Sequence, residues 1–348
     1  YVFDLDGLLG SDTIIDVSGA ADTLDFSATT SVSAKIDLSL IGAQVVSPGR
    51  LTLTITAVGQ LENVVGGEGD DVLRGNGLAN NLDGRAGDDS LEGLGGNDVL
   101  RGGDGDDTFV FDADNLLGVD TIREGVGDGG SDTLDFTSTT ASVAVNLAYG
   151  SPQVVVAGRL GLHLVYCHNL ENVLGGAGND LIVGNTLDNT LEGRGGDDTL
   201  IGLRGDDRYV FDDDGVLGTD TLVEQPDSEG GVDTLDFSGT SAVGVTVNLG
   251  DVTPQNVAAG HVINLEWPPL DILAQFAFEN LVGGSGSDVL TGNALDNWID
   301  GGAGGGGARD TRRSRRGRPE LLPGGGQGRK PGRSRVAPRH GGYCQAGD

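Results

Sequence analysis

Asp71, Asp89, Asp98, Asp107, Asp180, Asp198, Asp207 and Asp288 each hold the sixth place of a nine-residue block that opens on glycine. Five blocks run without a gap from Gly66 to Val110: GGEGDDVLR, GNGLANNLD, GRAGDDSLE, GLGGNDVLR and GGDGDDTFV. Four more fill residues 175–210, and two intact blocks follow from Gly283 before a failing one that begins GGAGGGG. Asn80, Asn189 and Asn297 take the sixth place in the second block of each array. Two residues after it stands Leu, Ile, Phe or Tyr, as in Leu73, Ile182, Phe109 and Tyr209. An oxygen ligand and a core hydrophobe share one period, and a fixed period is stronger evidence than any single residue.

A nine-residue unit is too short for a pair of helices, but it suits half a coil of a parallel β-solenoid. Six residues turn and three form a strand whose middle side chain points inward. Glycines at places 1, 2 and 4 permit the positive φ of a tight turn, and Asp and Asn bond nearby turn amides. Two blocks close one coil, so residues eighteen apart stack roughly 4.8 Å from each other. Asp71 then stacks on Asp89, Asp89 on Asp107, Asn80 on Asp98, Asp180 on Asp198 and Asn189 on Asp207. Carboxylates at that distance repel by about 1 kcal/mol in water and about 3 to 4 kcal/mol at an effective dielectric of 20. Such a ladder calls for cations between its rungs. Stacked carboxylates and turn carbonyls are hard oxygen donors that suit Ca²⁺. The ladder contains no Cys or His, which argues against zinc and copper.

The pattern resembles the RTX, or hemolysin-type, calcium-binding nonapeptide repeat GGxGxDxUx, where U is a large apolar residue. The resemblance implies an all-β fold of parallel β-roll segments with several Ca²⁺ ions held inside the turns. It carries the ligand role to Asp71, Asp89, Asp98, Asp107, Asp180, Asp198, Asp207 and Asp288. Carbonyl ligands fall on places 2 and 4, at Gly67, Gly69, Gly87, Gly103 and Gly105. Asn80, Asn189 and Asn297 lack the charge and predict weak or empty sites. Asp288 stacks on Gly306, which has no side chain, and predicts a poor one.

A larger unit is repeated as a whole. Phe3-Asp4, Phe111-Asp112 and Phe211-Asp212 mark its starts, and each copy then carries Asp-Thr-Leu-Asp-Phe, ending at Phe26, Phe136 and Phe237. A Glu-Asn pair (Glu62-Asn63, Glu171-Asn172, Glu279-Asn280) leads into each array. The chain reads as β-rich connecting segments at 1–65, 111–174 and 211–282, alternating with β-roll arrays at 66–110, 175–210 and a truncated 283–303. A basic Gly/Pro/Arg-rich tail, 304–348, reads as disordered. Gly and Asp codons that end in C give arginine when read one base out of frame, so the tail reads as a frameshifted continuation of the third array. Asp132, in GDGGSDTLD from Gly127 to Asp135, reads as a turn aspartate rather than a ligand.

The chain has 348 residues, 53 acidic against 21 basic, and a net charge of −32. Self-repulsion on this scale destabilises a compact state without cations and argues against nucleic acid as a partner of the main body. Two cysteines, Cys167 and Cys344, build no disulfide framework. No stretch approaches a membrane span. The lack of Met and the start on Tyr1, at the eighth place of an otherwise absent block, read as a piece of a longer protein.

Other chemistry is weakly encoded. His163, Cys167 and His168 are replaced by Thr54, Val58 and Gly59 in the first copy, so they read as strand decoration. Asp4-x-Asp6-Gly7 and Asp212-x-Asp214-Gly215 begin like a helix-loop-helix calcium loop but lack its later ligands. Neither a G-x-S-x-G elbow nor an H-E-x-x-H zinc helix occurs. The expectation is a non-catalytic, calcium-binding structural module of a secreted or cell-surface bacterial protein, whose folding needs calcium. Two alternatives are the C-terminal calcium-roll module of a secreted protease or lipase, and an adhesion or ice-binding surface.

Overall fold

The computed structural model describes residues 1–15, 21–56, 61–125, 129–165, 169–224, 231–266 and 278–304, with the backbone of 307–309. Its regular elements are β-strands, and no helix among the described residues is long and apolar enough to cross a membrane. Contacts divide the chain into two units, Tyr1–Asn185 and one beginning at Thr186.

In the first unit the eighteen-residue superposition is realised as parallel pairing. Val72–Asn76 pairs with Ser90–Leu94, which pairs with Thr108–Val110, so Leu73, Leu91 and Phe109 lie in register. Lys35–Asp37 precedes this row, and Thr133–Asp135 and Asn172–Leu174 follow it. The inward column is therefore Ile36, Leu73, Leu91, Phe109, Leu134 and Val173, all buried. On the opposite wall Leu24, Val64, Leu82, Leu100, Ile122 and Leu164 form a second buried column. Each buried Leu or Ile contributes about 1.5–3 kcal/mol. The segments between arrays thus supply further coils of the same walls. Their hairpins close them, as where Gln153–Val156 runs antiparallel to Leu160–Val165.

The second unit repeats the plan. Leu191, Tyr209, Leu235, Leu281 and Ile299 lie in register along one wall. Leu200, Leu222 and Leu265 lie along another. The recurrent Asp-Thr-Leu-Asp-Phe element gains a physical reason. Its terminal Phe stacks on the Phe that opens the copy, with centroids 5.3 Å apart for Phe3–Phe26, 5.4 Å for Phe111–Phe136 and 5.1 Å for Phe211–Phe237. In the third array Gly307–Arg309 pairs in parallel with Val289–Thr291. Regular backbone therefore runs past residue 303, where the sequence placed its end. The rest of the tail, Gly306, Cys167 and His168 lie outside the described residues.

Turn geometry explains the glycines unevenly. Gly103, at place 2, has φ +118° and stands over the Arg85 carbonyl, where a Cβ would collide. Yet Arg85, Leu94, Arg194 and Leu203 hold the same place with φ of 85°, 67°, 71° and 79°. A left-handed L-residue costs about 1–2 kcal/mol, part of which glycine returns as unfolded-state entropy. Leu94→Gly is therefore expected to stabilise the calcium-loaded chain by ~0.5–1 kcal/mol. Gly103→Ala should destabilise it by more than ~1 kcal/mol. Thermal melts of both variants check this, and a Leu94→Gly chain that melts lower than wild type would contradict it.

Candidate metal centre

The sixth-place side chain is where turn meets strand, and the register places it under the next coil. Asp71 donates its backbone N–H to Asp89 Oδ1 at 2.6 Å, and Asp89 donates to Asp107 Oδ1 at 2.8 Å. Asn80 donates to Asp98 Oδ1, and Asn189 to Asp207 Oδ1, both at 2.7 Å. One carboxylate oxygen thus ties each coil to the coil before it. Asp180 and Asp198 fall in different units. Within their units, Asp180 Oδ1 accepts from Val143 N–H and Asp288 Oδ1 from Val245 N–H.

The second carboxylate oxygen faces a different environment. Oδ2 of Asp89, Asp98, Asp207 and Asp288 is buried and accepts no hydrogen bond. A Cβ added at Gly66, Gly84, Gly93, Gly193 or Gly283 would strike Oδ2 of the Asp five residues on. First-place glycine is needed here for close approach to the carboxylate. The Gly84 carbonyl oxygen crowds the same point as Asp71 Oδ2. Among the carbonyl candidates, Gly87 stands on Gly69 with φ +107°, Gly105 on Gly87 with φ +132°, and Gly69 on Val32. Gly67 packs on Thr29 and gives its N–H to Asp71 Oδ2 at 2.7 Å.

Burial raises the carboxyl pKa values. It lifts Asp71, Asp98 and Asp180 to about 6, against hydrogen bonds from backbone amides. Asp89 rises to about 8, first by burial and then by the charges of Asp71 and Asp107. Asp207 also reaches about 8, by burial and the charge of Asp233. Buried ionised carboxylates need a compensating partner. Either a proton or a cation fills that role at these oxygens. Hard, buried, acceptor-only oxygens against glycine carbonyls fit Ca²⁺. The residues that would hold it are the stacked aspartates, and the bound ion would supply the positive charge that offsets them. Asn80 shows the neutral alternative. Its Nδ2 donates to the Glu62 carbonyl at 3.0 Å and its Oδ1 accepts from Asn76 N–H at 2.8 Å, so the amide satisfies itself.

The ladder also runs beyond the nonapeptide blocks. Asp98 N–H meets Asp120 Oδ1 at 2.9 Å and Asp107 N–H meets Asp132 Oδ1 at 2.9 Å. In the second unit Asp198 and Asp207 meet Asp220 and Asp233 at 3.0 and 2.9 Å. Asp120, Asp132, Asp220 and Asp233 are all buried. Burial raises Asp120 to about 7 and Asp132 to about 8. The ladder ends on the Glu-Asn pairs, where Glu62, Glu171 and Glu279 accept from Asp22, Asp132 and Asp233 N–H at 2.8–2.9 Å. The sequence signal for these additions is Gly-x-Asp-Thr-apolar at Gly118, Gly130, Gly218 and Gly231. It is half a block, at spacings of 22 to 26 residues instead of eighteen. Asp6, Asp114 and Asp214 do turn work instead, accepting from Thr30, Thr140 and Ser241 N–H.

No curated protein matches this chain. The family model for the RTX calcium-binding nonapeptide repeat matches residues 62–89, 83–115, 174–209 and 278–307. The parallel coils, the glycine-lined carboxylates and this fourfold match identify the glycine–aspartate arrays of the chain as RTX calcium-binding nonapeptide repeats, built as a β-roll.

Proposed function

We propose that the chain is a non-catalytic structural module of a secreted or cell-surface bacterial protein, and that it acquires its compact form by taking up several calcium ions. The observation that carries this reading is the column Asp71–Asp89–Asp107. These are buried carboxylates in adjacent coils, and Asp89 keeps an oxygen that accepts no hydrogen bond. Secretion is supported by the acidic composition, by the scarcity of cysteine and by the repeat type. Absence of catalysis is supported by the placement of the recurring acids, which are enclosed in glycine turns rather than gathered around an open cleft.

Calcium binding to the full chain by equilibrium dialysis tests this reading. Asp89→Ala is expected to lose about two ions, because Asp89 lies between two neighbours and serves both. Asn80→Ala is expected to lose none. Equal calcium uptake by the two variants would reject the stacked-carboxylate reading.

A further inference from the structure

The last coil of the second array ends on three buried carboxylates, two of which lie outside every matched repeat. Asp207, Glu224 and Asp233 are each 1% exposed. Each presents a carboxylate oxygen within 4.8 Å of the other two. Asp207 Oδ1 is used by Asn189 N–H, and Asp233 Oδ1 accepts from Asp207 N–H. Asp207 Oδ2 is buried and accepts no hydrogen bond. It is aimed at the cluster, since a Cβ on Gly202 would strike Asp207 Oδ2, Glu224 Oε1 and the Tyr209 hydroxyl together.

The first unit shows what sets this corner apart. There Phe109 stands in the place of Tyr209. Its Glu124 is engaged by backbone, Oε1 accepting from Gly102 N–H at 2.9 Å and Oε2 from Gly103 N–H at 3.3 Å. In the second unit the Tyr209 hydroxyl takes over the first amide, accepting from Gly202 N–H at 2.7 Å, and donates to Glu224 Oε1. Tyrosine thus replaces the glutamate at the amide and turns Glu224 toward Asp207 and Asp233.

We propose that Asp207, Glu224 and Asp233 form an additional calcium site peculiar to the second unit, with Tyr209 as the residue that positions Glu224. Three carboxylates and no soft donor select a hard divalent cation. A dry cage made by protein oxygens suits Ca²⁺ better than Mg²⁺, which retains its waters. The site rests on the calcium reading above for the identity of the ion, and on its own geometry for its existence.

Equilibrium dialysis of the full chain with radioactive calcium tests it. Glu224→Gln is expected to bind one ion fewer than wild type, and Glu124→Gln is expected to bind the wild-type number. Tyr209→Phe copies the natural Phe109, so it should keep the wild-type circular dichroism. It should weaken the one site by about tenfold or more, as loss of a ligand-orienting hydrogen bond does. A Glu224→Gln chain that binds as many ions as wild type, or a Glu124→Gln chain that loses one equally, overturns this site and leaves the array reading standing. A wild-type chain that binds no calcium overturns both. If Glu224→Gln does not fold, Tyr209→Phe decides alone, and unchanged affinity at every site refutes the proposal.

Discussion

Chelating calcium at neutral pH should unfold the chain, and acid should then restore part of the lost order. Asp89, Asp132 and Asp207 have folded-state pKa values of about 8 against an ordinary 3.8. Asp71, Asp98, Asp120 and Asp180 lie at about 6 to 7. Without metal, the folded chain binds more protons than the unfolded chain between those values. Its stability is therefore greatest below the unfolded pKa and falls as pH rises through the folded pKa. Each group contributes a slope of up to ~1.4 kcal/mol per pH unit inside its window. Several groups acting together exceed the net stability of about 5–15 kcal/mol that an ordinary domain has. Calcium removes this dependence by taking the proton's place, so its binding should release protons and weaken in acid. The check is thermal unfolding by circular dichroism between about pH 5 and pH 8, in chelator and in excess calcium. A melting temperature in chelator that holds steady or rises with pH, or that equals the calcium value at neutral pH, would contradict the argument.

How much of this was legible in the sequence follows from how strictly each part is periodic. Blocks of nine residues fix the coil, so spacing alone sets Leu73, Leu91 and Phe109 in one column. Asp120 and Asp233 escaped because their coils are 22 and 26 residues long. The extra residues erase the period while keeping the Gly-x-Asp corner. Asp132 was visible as a half-block, but without a regular partner it read as a turn residue. Its partner is Asp107, supplied by the longer coil. The Glu-Asn pairs were evident as repeats with no assigned role. Their function as the last oxygen of each ladder depends on strands about 40 residues apart, which no local pattern encodes.

His261→Leu alone should be among the most damaging single changes, while the same change paired with Asp213→Ala should be far milder. The three copies supply the reason. Leu5, Ala113 and Asp213 are equivalent, since each donates its N–H to a threonine hydroxyl, of Thr29, Thr139 and Thr240. Leu51, Leu160 and His261 are equivalent, since they pair with Gly10, Gly118 and Gly218. Two copies therefore bury an apolar pair where the third buries a carboxylate and an imidazole. His261 is fully buried. Its Nδ1 lies 2.6 Å from Asp213 Oδ1, and its Nε2 lies 3.1 Å from Asp220 Oδ2 as an ion pair rather than an aligned hydrogen bond. Burial alone would lower its pKa, but the two carboxylates outweigh that and raise it to about 9. The imidazolium does for Asp213 and Asp220 what a cation does for the stacked aspartates. Its contribution is complete below the ordinary histidine value of 6.5 and is lost as pH rises through about 9. Replacing His261 by leucine leaves two buried carboxylates without their counter-ion, which costs about 3–5 kcal/mol. Asp213→Ala removes one of them and recreates the Ala113–Leu160 pair, so the double variant should recover most of that loss. Chemical denaturation of both variants in excess calcium measures the coupling. A double variant as unstable as His261→Leu would show that the charge pair is not what holds this corner together. If the pair is the cause, the double variant should also lose more stability on chelation than wild type does. Asp220 would then stand, like Asp120 in the first unit, without an imidazolium beside it.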